Sequence, residues 1–384
     1  MVRIAEVRFA GINVTPKTNW SFVEVRTEDG RTGTGECTLA NHEAALEVEI
    51  ARLDAALRGA DARDRNAVTR VLVHAPAGLV RHAAVSALEQ ALWDLAGQEV
   101  GVPIWRLLGG RLRGRVVLYA NINRGVAERV PAGFAAAARR AVDDGFTAVK
   151  LAPFDPFVWE DAAEPAQRAA YAQGLERIAA VRDAVGPGID VMVDCHWRFS
   201  AGGAAALVRD VARFDLHWLE CPLAEANLAE IRRIRSMAND RGMRLAGAET
   251  LAGLAGFAPV IAAGAYDVLM PDIKYCGGHE EMRRIAALAQ VHGIEIAPHN
   301  PTGPICHAHT VQVCATIPNL GRLEVQFGET PLFFGIAAGA VPAISGGAAP
   351  VPELPGLGAG LAEGVAAERP WRPMGSPWLD PRLG

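Results

Sequence analysis

The chain has 384 residues, half of them hydrophobic and 21% charged, which suits one large or two fused domains with a substantial core and excludes general disorder. Its 38 basic and 43 acidic residues leave a formal charge of −5, so neither nucleic acid nor an anionic membrane is expected as a partner. Six cysteines (Cys37, Cys195, Cys221, Cys276, Cys306, Cys314) form no CxxC pair or zinc-ribbon spacing, and no export signal opens the chain, so a reducing cytoplasm is expected. The longest uncharged stretch, Pro331 to Pro352, is broken by Gly and Pro and predicts no membrane anchor.

Residues 2–10 and 20–27 alternate apolar and polar side chains, and EDGR then turns the chain into TGTGE, predicting an antiparallel meander. Helices follow; VRHAAVSALEQALWDLAGQEVG carries apolar residues at helical spacing and stops near Gly101 and Pro103. From Val116 short apolar runs alternate with amphipathic helical stretches. Strands are predicted at 116–120, 146–151, 190–194, 216–220, 244–249, 267–270, 294–297 and 322–326. Eight strands in βα alternation predict a closed parallel barrel, with a doubly wound open sheet as the competing layout. The Gly- and Pro-rich last forty residues are expected to pack back on the first domain.

Several predicted strands end in a polar residue that an apolar run does not require: Asp194 after VMV, Glu220 after HWL and Glu249 after LAGA. The intervals, 26 and 29 residues, are about one βα repeat each, which sets the three carboxylates side by side on the carboxyl-terminal rim of a barrel. Three converging carboxylates need a cation, and hard oxygen ligands select Mg2+ or a similar metal; the alternative is an ordinary Arg pairing for each. Asp272 and His299 end two further strands, 27 residues apart. A carboxylate beside an imidazole orients the ring and raises its basicity, as a general base requires. His307 and His309, in a predicted helix, suit simple packing instead. His196 stands two residues after Asp194, close enough for an acid beside the metal, or for a solvated loop. Lysine occurs only at positions 17, 150 and 274, so Lys150, closing its strand, marks a place where a compact ammonium is wanted.

No GxxxxGK[ST], strand-to-helix GxGxxG, GxSxG or HExxH is present, so nucleotide hydrolysis, dinucleotide redox chemistry, serine hydrolysis and zinc proteolysis lose their signatures. The segments ALWDLAGQEVGVPIWRLLGG, VDCHW, LECPL, AETL, MPDIKYCGG and APHNPTGP together resemble the enolase superfamily, in its mandelate racemase subgroup, over nearly the whole chain. The resemblance implies an α/β fold: a modified TIM barrel, (β/α)7β, at 113–343, an α+β capping domain at 1–112, and a C-terminal segment, 344–384, packed on the cap. It implies Asp194, Glu220 and Glu249 as Mg2+ ligands, Asp272 and His299 as a catalytic dyad, and Glu324 as an acid that hydrogen-bonds the substrate carboxylate. An even-numbered homo-oligomer (dimer, tetramer or octamer) and a small carboxylate substrate are implied as partners.

The departures from the subgroup carry more information. Racemising members place a second lysine two residues after the first on the second barrel strand, where this chain reads Lys150, Leu151, Ala152. The Asp194-x-His196 arrangement instead resembles galactonate-type acid-sugar dehydratases. On that resemblance His299 removes the α-proton, Lys150 and the metal take up the enediolate charge, and His196 protonates the departing 3-hydroxyl to give a 2-keto-3-deoxy acid. The segment Val14–Trp20 is expected to be a lid in which Lys17, Asn19 and Trp20 meet the distal substrate. An epimerase, racemase or cycloisomerase using Lys150 or Lys274 as opposing base, and a non-catalytic binding protein, are the competing readings.

Overall fold

The computed structural model describes residues 2–67 and 78–374, so the last ten residues of the expected C-terminal segment lie outside it. Three antiparallel strands open the chain, β1 (Ile4–Thr15), β2 (Thr18–Thr27) and β3 (Thr32–Glu36), in spatial order β1-β2-β3. Their apolar face shares one core with helices α1 (Glu43–Leu57) and α2 (Leu79–Val100), in which Val7, Val23 and Val25 meet Leu46, Ile50, Leu88 and Leu92. The glycines of TGTGE allow β3 to lie directly on α2. A Cβ at Gly33 would stand 2.1 Å from the Ala91 carbonyl oxygen, and one at Gly35 2.0 Å from that of Ala87. Helix α2 ends where the sequence predicts, with Gly101 in the left-handed conformation (φ 76°).

The segment expected to form a lid is the tip of a hairpin. Instead of a loop at 14–20, β1 and β2 pair almost to their tip, with Ile12 opposite Trp20, Asn13 opposite Asn19 and Thr15 opposite Thr18. Alternation simply continues through Ile12 and Val14, and Pro16 with Lys17 fills a two-residue turn for which proline's fixed φ is suited.

Eight parallel strands follow, β4 (Arg115–Asn121), β5 (Ala148–Leu151), β6 (Asp190–Asp194), β7 (Trp218–Glu220), β8 (Arg244–Gly247), β9 (Val268–Leu269), β10 (Glu295–Ile296) and β11 (Leu323–Gln326), each overlapping its predicted segment. Neighbours run β10-β9-β8-β7-β6-β5-β4-β11. The remaining seam is joined by Ile296 N–H to the Asn319 carbonyl (2.9 Å) and Gly321 N–H to the Ile296 carbonyl (2.9 Å), which closes the sheet and decides against the open alternative. Helices α3 (Pro131–Asp143), α4 (Pro165–Val185), α5 (Ala201–Val211), α6 (Leu228–Asn239), α7 (Gly253–Ala262), α8 (Gly278–Val291) and α9 (Pro304–Cys314) alternate with the strands, giving (β/α)7β. Inside the barrel Tyr119, Met192, Trp218, Val268 and Met270 form a separate buried cluster that plugs the space beneath the carboxyl-terminal rim.

The cap is anchored to the barrel through charge. Buried Glu36, ending β3, accepts the backbone N–H of Gly303 (2.8 Å) and Cys306 (2.9 Å) at the start of α9. Buried Glu89 of α2 accepts those of His279 (2.9 Å) and Glu280 (3.1 Å) at the start of α8. Both carboxylates satisfy orphan donors where a helix dipole favours negative charge. The C-terminal stretch divides its contacts: Ala348–Pro350 pairs antiparallel with the barrel strand β4, whereas Trp371 N–H bonds the Gly11 carbonyl of β1 in the cap (3.1 Å).

Both His307 and His309 are fully buried on α9, in the packing role expected of them. Burial pushes the His307 imidazole down from 6.5 to about 4, against a weaker pull from the Pro342 carbonyl. Its folded-state value is depressed, so its contribution is complete above pH 6.5 and is lost as pH falls toward 4, by roughly 3 kcal/mol. His307→Leu should flatten the pH dependence of urea-unfolding stability in that window; an unchanged slope between pH 7 and 5 would contradict the assignment.

Candidate active site

The polar strand ends converge on one rim. Asp194 and Glu220 are direct partners in the β6–β7 ladder, and Glu249, Asp272 and His299 follow the ends of β8, β9 and β10 by two, three and three residues. All of the carboxylates are buried. The backbone around three of them is unusual: Cys221 after Glu220 (φ 42°), Ala248 before Glu249 (φ 72°), and His196 and Trp197 after Asp194 (φ 46° and 55°) are all left-handed although none is glycine. Such strain persists only where the surroundings impose it, and it concentrates at functional sites.

Lys150 lies on the floor of this rim. Its Nζ stands 2.6 Å from Glu220 Oε1 and 2.8 Å from Glu324 Oε1, with all three side chains essentially inaccessible. Burial alone would favour a neutral amine, but Glu220 and Glu324 outweigh it and hold the ammonium well above the ordinary lysine range. Glu324 also accepts from Asn121 Nδ2 (2.7 Å) and the Asn300 N–H (3.1 Å), and Glu220 from Trp218 Nε1 (3.0 Å).

Two imidazoles flank the centre. His299 Nδ1 lies 2.7 Å from Asp272 Oδ2, which fixes Nδ1 as the protonated nitrogen and turns Nε2 toward Glu249, 3.6 Å away. Asp272 also receives Lys274 Nζ at 2.6 Å. His196 Nε2 lies 2.8 Å from Asp194 Oδ2 and its Nδ1 3.4 Å from Asp155 Oδ1. Burial pushes His196 toward its neutral form, yet Asp194 and Asp155 prevail and raise it well above the usual histidine value. Strands β6 and β10 are four apart in a ring of eight, so the two rings face each other across the mouth.

Among the described residues no three His, Cys, Asp or Glu side chains already stand gathered around a common point for a metal ion. Glu220 is drawn to Lys150 and Asp194 to His196. The chemistry of the cluster nevertheless fits a hard divalent cation. Its donors are all carboxylate oxygens, Glu249 Oε2 is buried without a hydrogen-bond partner, and burial with the Asp194 charge pushes Glu249 up to about 8.

Of the expected substrate contacts, Lys17 is exposed at the hairpin tip, and Asn19 Nδ2 is engaged by Glu43 Oε1 (3.0 Å) and the Arg372 carbonyl (2.8 Å). Trp20 lines a cavity of about 250 Å³ beside the end of β11, with Gln326, Phe327, Glu329 and Phe333. Sequence reasoning missed Asp155, whose only sign was its place in the loop just after Lys150, and Glu36, whose partners at the start of α9 lie more than 260 residues away.

An eight-stranded (β/α)7β barrel roofed by an α+β cap, with acidic and histidine side chains at its carboxyl-terminal mouth, is the class that this fold and rim define. Residues 6–109 match the mandelate racemase / muconate lactonizing enzyme N-terminal domain, and residues 133–365 match the enolase C-terminal domain-like model. The chain belongs to the mandelate racemase / muconate lactonizing enzyme family of the enolase superfamily. It is 32% identical over 348 residues to a D-gluconate dehydratase of Thermoproteus tenax, covering 90% of this chain and 68% of that one. It is 32% identical over 298 residues to a D-galactonate dehydratase of Verminephrobacter eiseniae (77% and 75% covered) and 31% identical over 351 residues to a D-galactarolactone cycloisomerase of Agrobacterium fabrum (88% and 87% covered).

Removing Lys150 leaves two buried carboxylates uncompensated, so Lys150→Met should lower unfolding stability by roughly 3–5 kcal/mol. Urea denaturation checks this; a loss under 1 kcal/mol would mean that the Glu220 and Glu324 charges are neutralised in another way.

Proposed function

We propose that the chain is an acid-sugar dehydratase, a hydro-lyase that converts an aldonate or aldarate to its 2-keto-3-deoxy acid. The observation that carries this reading is the pair of opposed imidazoles, His299 with Nδ1 2.7 Å from Asp272 and His196 with Nε2 2.8 Å from Asp194. In this reading Asp194, Glu220 and Glu249 would hold Mg2+, which would supply Lewis-acid polarisation of the substrate carboxylate. In this reading residues 113–343 would carry the chemistry, with the described residues of 1–112 forming the cap.

The steps assigned to the chain's own residues follow from their geometry. His299 takes the C2 proton on Nε2, the nitrogen that the Asp272 contact leaves free. The Lys150 ammonium beneath the site, itself shut off from solvent, would stabilise the negative charge that develops on the substrate carboxylate. Glu324, bonded to that lysine, would have to take up a proton before it could donate a hydrogen bond to the same group. His196, on the far side, gives its proton to the 3-hydroxyl as the C3–O bond breaks. Water leaves, and the enol gains a proton at C3 as it becomes the ketone.

A second reading retains one supporting observation, the cycloisomerase relative. Epimerisation with an opposing lysine finds no support in the geometry, because Lys150 is enclosed by Glu220 and Glu324 and Lys274 sits on Asp272, next to His299 rather than across from it.

The test is a stereochemically complete panel of aldonic and aldaric acids incubated with Mg2+ and read by semicarbazide detection of 2-keto acids. At least one member should react. A blank across the panel, with deuterium entering C2 of a member in D2O and the C2 epimer appearing, would instead favour epimerisation. Calorimetry with MgCl2 should show binding that Glu249→Gln weakens at least tenfold; equal affinity would remove Glu249 from the ligand set.

A further inference from the structure

We infer that Asp155 is a positioning residue for His196, holding that imidazole in the orientation from which it delivers its proton to the leaving hydroxyl. The inference rests on the dehydratase reading above and concerns only which residue aims the acid. Asp155 comes from a different element, the loop after β5, and its Oδ1 lies 3.4 Å from His196 Nδ1, while His196 Nε2 faces Asp194 at the centre of the rim. The ring is thus bridged between two strands' loops. Its outer nitrogen meets a carboxylate, as His299 Nδ1 meets Asp272 on the opposite side.

Two further observations give the contact its force. Asp155 is itself held in place: Arg198 Nε lies 2.6 Å from Oδ1, and Arg129 Nη2 lies 3.4 Å from Oδ2 while also bonding the Ala152 carbonyl (2.9 Å). Arg198 is in turn tied to the Phe157 carbonyl (2.8 Å), so the loop, the arginines and the carboxylate form one frame. The backbone carrying His196 is also fixed. Left-handed residues 196 and 197 are clamped by Trp197 N–H to the Cys221 carbonyl (2.7 Å), Arg198 N–H to the Cys195 carbonyl (3.0 Å) and Trp197 Nε1 to Glu225 Oε2 (2.8 Å). With the backbone immobile, the remaining freedom of His196 is rotation of its side chain, and an acid displaced by about 1 Å loses on the order of a hundredfold in rate. Asp155 is the group placed to remove that freedom from the outer side.

Loss of this contact separates the two halves of the reaction. Proton abstraction by His299 lies on the other side of the mouth and should continue, so the carbanionic intermediate returns to substrate by taking a deuteron from solvent-exchanged His299. Expulsion of the hydroxyl should slow. The experiment uses the full chain with Mg2+ in D2O and the member of the aldonate and aldarate panel, beginning with D-gluconate and D-galactonate, that the wild-type chain dehydrates. C2 deuteration of recovered substrate is read by proton NMR and 2-keto acid by semicarbazide. Asp155→Ala is expected to raise the ratio of exchange to dehydration at least tenfold over wild type, and Asp155→Glu to bring it back toward the wild-type ratio. If the alanine variant does not fold by circular dichroism, Asp155→Asn, which keeps the volume, is read by the same ratio and should show a smaller rise. A variant in which both rates fall by one factor, or neither changes, overturns the inference while leaving the dehydratase reading intact. Failure of the wild-type chain to dehydrate any member of the panel overturns the reading and the inference together.

Discussion

Five carboxylates, Asp194, Glu220, Glu249, Asp272 and Glu324, are buried at one end of a single barrel, and the rest of the structure depends on how their charge is tolerated. Taking ions out of water costs several kcal/mol each, and the cost is recovered only by close, well-directed counter-charges. The chain places Lys150 between Glu220 and Glu324, Lys274 against Asp272 and His196 against Asp194. Two of the three lysines in the sequence are enclosed here, Lys150 between two acids and Lys274 against one, where a compact ammonium suits the space better than a planar guanidinium. Glu249, with an oxygen left unbonded, is the member whose charge the protein's own residues compensate least. A divalent cation is the natural complement to such a set.

The second requirement is that the strand-end loops stay where the strands point them. The loops after β5, β6, β9 and β10 are each pinned by groups from other elements. Glu36 binds the start of α9 just after the His299 loop, and Glu89 binds the start of α8 just after the Asp272 loop. The cap therefore does more than cover the mouth. Its buried carboxylates orient the last two βα loops, while the first loops are held by Arg129 and Arg198 around Asp155. Positive φ angles at His196, Trp197, Cys221 and Ala248 mark where this framework imposes a conformation that the residues would not choose.

Much of this was legible in the sequence, for identifiable reasons. Buried parallel strands read as short apolar runs, and an acid at the end of such a run, repeated at βα spacing, marks the rim; Asp194, Glu220 and Glu249 stand out on that basis alone. Asp272 and His299 follow from the same periodicity, and their 2.7 Å contact agrees with the pairing expected of them. Other features have no local signal. Asp155 and Glu36 act through partners far along the chain, and the left-handed residues are ordinary His, Trp, Cys and Ala, which give no hint of unusual backbone. Polar Thr15, Lys17, Thr18 and Asn19 read as a loop, whereas cross-strand pairing runs out to Thr15 and Thr18, leaves Pro16 and Lys17 in the turn, and uses Asn19 to hold the tail.

In the proposed reaction the two imidazoles act on opposite faces, His299 at C2 and His196 at the 3-hydroxyl. The direct test compares His196→Asn and His299→Asn in D2O with Mg2+ and a substrate of the wild-type chain. The account requires His196→Asn to exchange the C2 proton while forming little 2-keto acid, and His299→Asn to do neither. Exchange that survives in His299→Asn, or that disappears in His196→Asn, would show that the proton is taken from the other side and would contradict the assignment.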